Sequence, residues 1–350
     1  MYRFIVTAME MIDIEKHDEL IDYLAASGLL AGRSQPACTN LLGGVSNRTV
    51  KISFTDGTGW VVKQALAKLR VASDWYADPK RIHVEAEGLR WLARLLGCDA
   101  VPAFIHEDHQ QQLFIMTAIA EPHHNYKHLL FEHPPESQHA VAFGRMLATL
   151  HNHAYEQREE LLAVFADTSF FEHLRLDPYY RHSARQFPDA APFLYQLILD
   201  TRQRRRTLVH GDYSPKNILI HDNRLVLLDH EVIHFGDPAF DVGFSLAHFL
   251  SKAHARKPLR DEFLDVTEQY WHTYRAHCVK SPWADDLEPL CIRHTIACLL
   301  ARVAGKSMLE YLTNEQRAVQ KIVVKHLIDE PPLSLAQLIR QFPTLVHTYE

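Results

Sequence analysis

The chain has 350 residues, 47% hydrophobic and 23% charged, with a net charge of −6; these are ordinary globular values, with room for one large domain or two lobes. Lys and Arg number 37 against 43 Asp and Glu, a balance that excludes a general phosphate-backbone binder, which needs a basic field. Five scattered cysteines (Cys38, Cys98, Cys278, Cys291, Cys298) without a C-x-x-C pair exclude a disulfide frame or zinc site and predict free thiols in a reducing compartment.

No run reaches membrane-spanning length, residues 1–20 carry too little apolar length for a signal peptide, and the 24 histidines lack the spacing of a metal site. A cytoplasmic protein without membrane or nucleic-acid partners is expected. Along the chain, Ile14 to Leu30 has helical apolar spacing (Leu20, Ile21, Leu24, Leu29) and ends near Gly28 and Gly32. TNLLGGVSNRTVKISF and TGWVVKQAL predict strands joined by a turn at Thr55-Asp56-Gly57. Asp78-Pro79 supplies a cap and a first-turn proline for a helix running to about Gly97. VPAFIHED and QLFIMTAI predict two further strands, and a hinge follows at about residues 117–122. Beyond it AVAFGRMLATLHNH, APFLYQLILDTRQRRR, Phe263 to Cys278 and LCIRHTIACLLARV have helical spacing, and only Leu208 to Leu228 is strand-like. Arg204-Arg205-Arg206 reads as a solvated helix end favoured by the helix dipole. The expected fold class is α+β, a small β-rich lobe over residues 1–117 followed by a larger, mainly helical lobe over 118–350.

The strand-like segment LVHGDYSPKNILI is interrupted by charged residues, and His210, Asp212 and Asn217 fit H-x-D-x-x-x-x-N, the spacing of a kinase catalytic loop. In such a loop the Asp orients or deprotonates an acceptor hydroxyl, while the Asn reaches a Mg²⁺ on nucleotide phosphates. RLVLLDHEV then sets Asp229 and Glu231 at the end of an apolar strand, where a second metal-holding carboxylate belongs; Glu231 could serve metal or substrate. Upstream, WVVKQAL embeds Lys63 in an apolar strand, where an unpaired ammonium is costly. Alone, Lys63 reads as an edge-strand lysine reaching for solvent. Glu85, three positions after Ile82 and four before Leu89, shares their inward helix face and is the expected partner; Glu87 points elsewhere. Gly43-Gly44-Val45-Ser46-Asn47 offers backbone N–H groups to phosphates, without the G-K-[ST] of a Walker A loop. The order Gly loop, Lys, Glu, hinge, H-x-D-x-x-x-x-N, acid predicts a kinase-type phosphotransferase using ATP and Mg²⁺.

LVHGDYSPKNILI, LLDHEVIHFGDPAFDVG, GGVSN and the Lys63–Glu85 arrangement resemble the aminoglycoside phosphotransferase and choline kinase superfamily, over about Leu41 to Phe249. The resemblance implies a two-lobed protein-kinase-like fold, with Asp212 as catalytic carboxylate, Asn217 and Asp229 as Mg²⁺ ligands, and Asp241 and His210 as supports of the loop. It sets the nucleotide against Gly43, Gly44, Ser46, Asn47, Lys63, Glu85, Met116 and Ala118. About a dozen positions separate Asp229 from Asp241, too few for a long activation segment, so a small-molecule alcohol is the expected acceptor. VVKQALAKLRVASDWYADPKRIHVEAE, IAEPHHNYKHLL and ARVAGKS are similar to methylthioribose kinases, which implies a sugar acceptor contacted by Arg302. Ala301 stands where that family has a second Arg, and the Asn217 spacing departs from that family's loop. An aminoglycoside or amino-alcohol kinase is the alternative. A catalytically inactive nucleotide-binding module is the third reading.

Overall fold

The computed structural model describes residues 11–42, 44–71 and 74–350, so the N-terminal residues 1–10 and Gly43 lie outside the described residues. The chain forms two compact units. One comprises residues up to Glu87 together with Ala103–Ala120; the other comprises Gly88–Pro102 and Glu121–Glu350.

The first unit is built on a five-stranded antiparallel sheet of β1 (Ala37–Asn40), β2 (Asn47–Ser53), β3 (Gly59–Ala65), β4 (Phe104–Asp108) and β5 (Leu113–Thr117), in the order β1-β2-β3-β5-β4. The Thr55-Asp56-Gly57 turn joins β2 to β3, with Gly57 at φ +83 and Phe54 N donating to Thr58 O at 2.9 Å. The predicted first helix is His17–Ala26, shorter than its apolar pattern and followed by Gly28 at φ +72. Its Leu20 and Leu24 pack with Val50, Ile52, Trp60, Val62, Leu113 and Ile115 as one core. Because strand side chains alternate, Trp60 and Val62 in that core send Lys63 to the opposite face of β3. The second helix is regular over Arg81–Leu96, and Asp78 Oδ1 accepts from Lys80 N at 2.9 Å in the turn ahead of it.

In the second unit the helix Pro238–Ala255 is buried continuously from Pro238 to His254, flanked by the helices Arg260–His277 and Ala284–Ala304. Gly243 permits the approach of the last of these, since a Cβ there would lie 2.5 Å from His294 Cβ. Besides the strand-like stretch, which resolves into β7 (Thr207–Val209), β8 (Ile218–His221) and β9 (Arg224–Leu227), this unit has β6 (His124–Asn125) before it and β10 (His234–Gly236) after it. Two- and three-residue strands carry too few positions to show alternation. Asp222 and Asn223, at φ +49 and +58, form the tight β8–β9 turn. The α+β class holds, as does the division into a sheet-rich and a helical unit. The Arg204-Arg205-Arg206 run follows the helix Ala191–Gln203, and its guanidinium groups fasten to Asp200 O, Ala166 O, and Pro282 O with the Asp286 carboxylate, a tethered rather than freely solvated run. Among the described residues the cysteines are free, and no helix is long and apolar enough to cross a membrane.

Two core histidines make the helical unit acid-sensitive. Burial pushes His234 from 6.5 down to about 4 and His294 down to about 3. Both are neutral in the folded chain, so at and above pH ~6.5 they cost nothing; below it the unfolded chain takes up protons that the folded one refuses. The contribution of these two rings to stability should therefore fall as the pH drops from ~6.5 towards ~4. Urea midpoints measured at pH 7.5, 6 and 5 should decrease in that order; equal midpoints would contradict the burial of these two rings.

Candidate active site

In the first unit, Lys63 and Glu85 meet as expected: the ammonium donates to Glu85 Oε1, with the residues only 7% and 1% exposed. Ile82 and Leu89 are buried on the same helix face, which is why Glu85 turns inward at all. Of the glycine-rich segment, Gly44 leads into buried Ser46 and Asn47, and Asn47 Oδ1 is buried without a hydrogen-bond partner. That segment is pinned by a residue the sequence did not single out. Arg81, fully buried, donates to Ser46 O and, at 2.9 Å, to Leu66 O. Met116 is buried on β5, and Ala118 N is spent on Gly59 O at 2.8 Å, which leaves the Ala118 carbonyl to offer. His83, Glu107 and His109 bring possible metal-ligating atoms within 4.8 Å of one another, but their nitrogen donors suit zinc better than Mg²⁺.

The loop after β7 is organised by one buried carboxylate. Asp241 Oδ2 accepts from His210 N at 2.7 Å and Oδ1 from Gly211 N at 2.8 Å, with His151 Nε2 at 3.3 Å from Oδ2. Burial works to raise the Asp241 pKa, yet the hydrogen bonds it accepts from His151 and Gly211 N hold it below the usual range. Gly211 sits at φ +77 with no room for a side chain: a Cβ would lie 2.9 Å from Val232 Cγ2 and 3.0 Å from Val232 O. His210 is buried, which lowers its pKa; its Nδ1 accepts from Asp212 N at 3.1 Å, and its Nε2 lies 3.1 Å from Leu228 O. A neutral ring, donor at Nε2 and acceptor at Nδ1, satisfies both contacts.

Asp212 is thereby presented with its carboxylate already engaged. Asn217 Nδ2 donates to Asp212 O at 2.9 Å and to Oδ2 at 2.7 Å, closing the loop that H-x-D-x-x-x-x-N had suggested. Arg175 Nη2 approaches the same Oδ2 at 3.0 Å, while its Nε donates to Gly211 O and its Nη1 to Leu174 O. Sequence reasoning missed Arg175: it lies on a π-helical segment, Glu172–Arg181, in EHLRLDPYYR, and carries no spacing signal. Leu228 N donates to Asn217 O at 2.9 Å, so Asp229 emerges beside the loop, at φ +69, followed by buried Glu231. Arg302, 7% exposed, is not brought into this group directly. Its Nη1 donates to Ser307 O and Oγ, its Nη2 lies 2.9 Å from His248 Nε2, and its Cζ stands 4.8 Å from the Tyr179 ring centre.

With Asn217 Nδ2 committed to Asp212, the amide oxygen is what this side chain has left to give, and the Asp229 and Glu231 carboxylates add further oxygen donors. Hard oxygen ligands of this kind fit Mg²⁺. An engaged carboxylate on a rigid loop and a buried Lys–Glu pair are the parts that phosphoryl transfer requires.

Comparison with known proteins agrees. Methylthioribose kinase of Yersinia pseudotuberculosis is 25% identical over 297 residues, covering 74% of this chain and 72% of that relative. Among solved structures, an amicoumacin kinase bound to AMP-PNP, Ca²⁺ and Ami superposes with a TM-score of 0.59 at 14% identity, covering 93% of this chain and 96% of that one. Choline kinase from Cryptosporidium parvum gives 0.58 at 13% identity, covering 93% and 99%. These two show likeness of fold. The expectation of a small-molecule kinase holds, for the sequence model of the phosphotransferase enzyme family matches residues 37–278, and the chain belongs to that family.

Proposed function

We propose that this kinase moves the γ-phosphoryl group of ATP to a hydroxyl of a small sugar-like acceptor. The observation that carries this is the Asp212 carboxylate, held by Asn217 Nδ2 and Arg175 on a loop fixed by Asp241. Asp212 orients the acceptor hydroxyl and draws off its proton as the new P–O bond forms and the bond to ADP breaks. Asn217 and Asp229, with Glu231 in support, would hold Mg²⁺, which when bound neutralises phosphate charge. Lys63, held by Glu85, positions the α- and β-phosphates. Gly44, Ser46 and Asn47 cradle the phosphates, while Met116 and the Ala118 carbonyl face the base. His210 and Asp241 keep the loop in shape. Arg302 belongs to the acceptor side, and residues 117–122 form the hinge between the lobes of residues 1–117 and 118–350.

The sugar assignment rests on sequence similarity to methylthioribose kinases. A choline-type or aminoglycoside acceptor would call for carboxylates around its cation, and the helix Ala284–Ala304 contributes Arg302 instead. An inactive nucleotide-binding module would lack one of Lys63, Asp212, Asn217 and Asp229, and all four are present.

The test is ADP release by purified protein with MgATP against methylthioribose, other pentoses, an amino alcohol and an aminoglycoside, with Asp212→Ala as the blank. Turnover confined to sugars is the expected result. Turnover on a cationic acceptor would keep the mechanism and overturn the sugar, and no turnover with ATP bound would leave an acceptor outside this panel, such as an anionic sugar, or the inactive module.

A further inference from the structure

The helical unit contains a buried group of hydrogen-bond donors with few acceptors. Lys252, 1% exposed on the helix Pro238–Ala255, has as its hydrogen bond a 3.4 Å contact to His248 O. Its ammonium otherwise faces the rings of Tyr311 at 5.5 Å and Phe131 at 5.7 Å. Glu310 is the carboxylate whose charge acts on Lys252, and Glu310 is already bonded to Lys127. One turn back on the same helix, His248 Nε2 accepts from Arg302 Nη2. Arg302 Nε and the Tyr311 hydroxyl are buried without partners. Burial and the charges of Lys127 and Arg302 bring the Lys252 pKa down to about 7.

A buried lysine between two rings is tolerable as a neutral amine. That does not explain why its neighbours are also cations, or why an Arg N–H and a Tyr O–H beside it lack acceptors. Unpaired buried donors cost free energy that a multivalent oxyanion would recover. The group also connects with Asp212. The ring of Tyr179 has Arg302 on it at 4.8 Å and Arg175 at 5.7 Å, and Arg175 holds the Asp212 carboxylate.

We propose that the acceptor is an anionic small molecule whose carboxylate or phosphate is received by Lys252, Arg302 and Tyr311 while its hydroxyl lies at Asp212. This rests on the kinase reading above. It sharpens that reading, because a neutral sugar leaves the donors unsatisfied and a choline-like cation is repelled.

Full-length protein saturated with Mg–AMP-PNP, so that the nucleotide site is filled, would be titrated by calorimetry with three matched five-carbon compounds: ribose, ribonate and ribose 5-phosphate. At least one of the two anions should bind about tenfold or more tightly than ribose, as charge-assisted hydrogen bonds allow. Which anion does so separates the carboxylate from the phosphate source. Lys252→Met and Arg302→Met should each erase the preference while AMP-PNP still binds. Tyr311→Phe, the mildest change, should reduce it, and melting curves would confirm that the variants fold. Anions binding no better than ribose, or a preference that survives both Met variants, would overturn the proposal. Failure of AMP-PNP to bind would instead sink the kinase reading.

Discussion

Asp212→Asn is expected to lower kcat by ~10²–10⁴-fold, the range general acid–base groups supply, while the affinity for ATP stays nearly constant. The substitution keeps the shape of the side chain and removes its charge. In the native loop Oδ2 receives both Asn217 Nδ2 and Arg175 Nη2. An amide has one oxygen for these two donors, and its own NH₂ cannot accept from the acceptor hydroxyl. Nucleotide contacts, by contrast, are proposed for Lys63, Glu85 and the segment around Ser46, whose side chains the substitution leaves unchanged. Steady-state kinetics on the acceptor found by the panel, with Kd for AMP-PNP measured separately, would check this. A variant within a factor of a few of native kcat would show that Asp212 neither orients nor deprotonates the acceptor.

Parts of the site that are local in sequence, or that lie on a periodic element, could be read from the residues. The His210–Asn217 loop is one continuous stretch, so its spacing survives in the linear chain. Glu85 could be chosen over Glu87 because helical spacing placed it with Ile82 and Leu89, and all three are buried. Asp241 was legible as a support through its resemblance alone. Its two backbone donors explain why the carboxylate is needed there. What stayed hidden depends on tertiary path. Arg81 reaches back to Ser46 and Leu66, and Arg175 reaches forward to Gly211 and Asp212, across intervals that no motif marks. The helix Pro238–Ala255 also escaped, and it is buried continuously from Pro238 to His254, its charged and polar residues included. Lys252 on that helix looks like an ordinary surface lysine until its burial is known.

Arg175→Met should be the most damaging change that leaves the loop sequence itself intact. It strips Asp212 Oδ2 of a charged donor and leaves Gly211 O without its Nε partner, all in a buried setting. Breaking one side of a buried ion pair costs about 3–5 kcal/mol, enough to remove much of the margin of a marginally stable fold. Arg175→Lys separates charge from geometry. A lysine restores one positive charge, but it cannot donate at once to Gly211 O, Leu174 O and the carboxylate as the planar guanidinium does. The Lys variant should therefore melt nearer to native than the Met variant, yet keep a kcat lowered by about tenfold or more, with KM for ATP little changed. Thermal melting read beside kcat and KM distinguishes the outcomes. If Lys restores kcat and stability together, Arg175 acts only as a counter-charge. If stability returns without kcat, the fork of hydrogen bonds is what aims Asp212 at the acceptor.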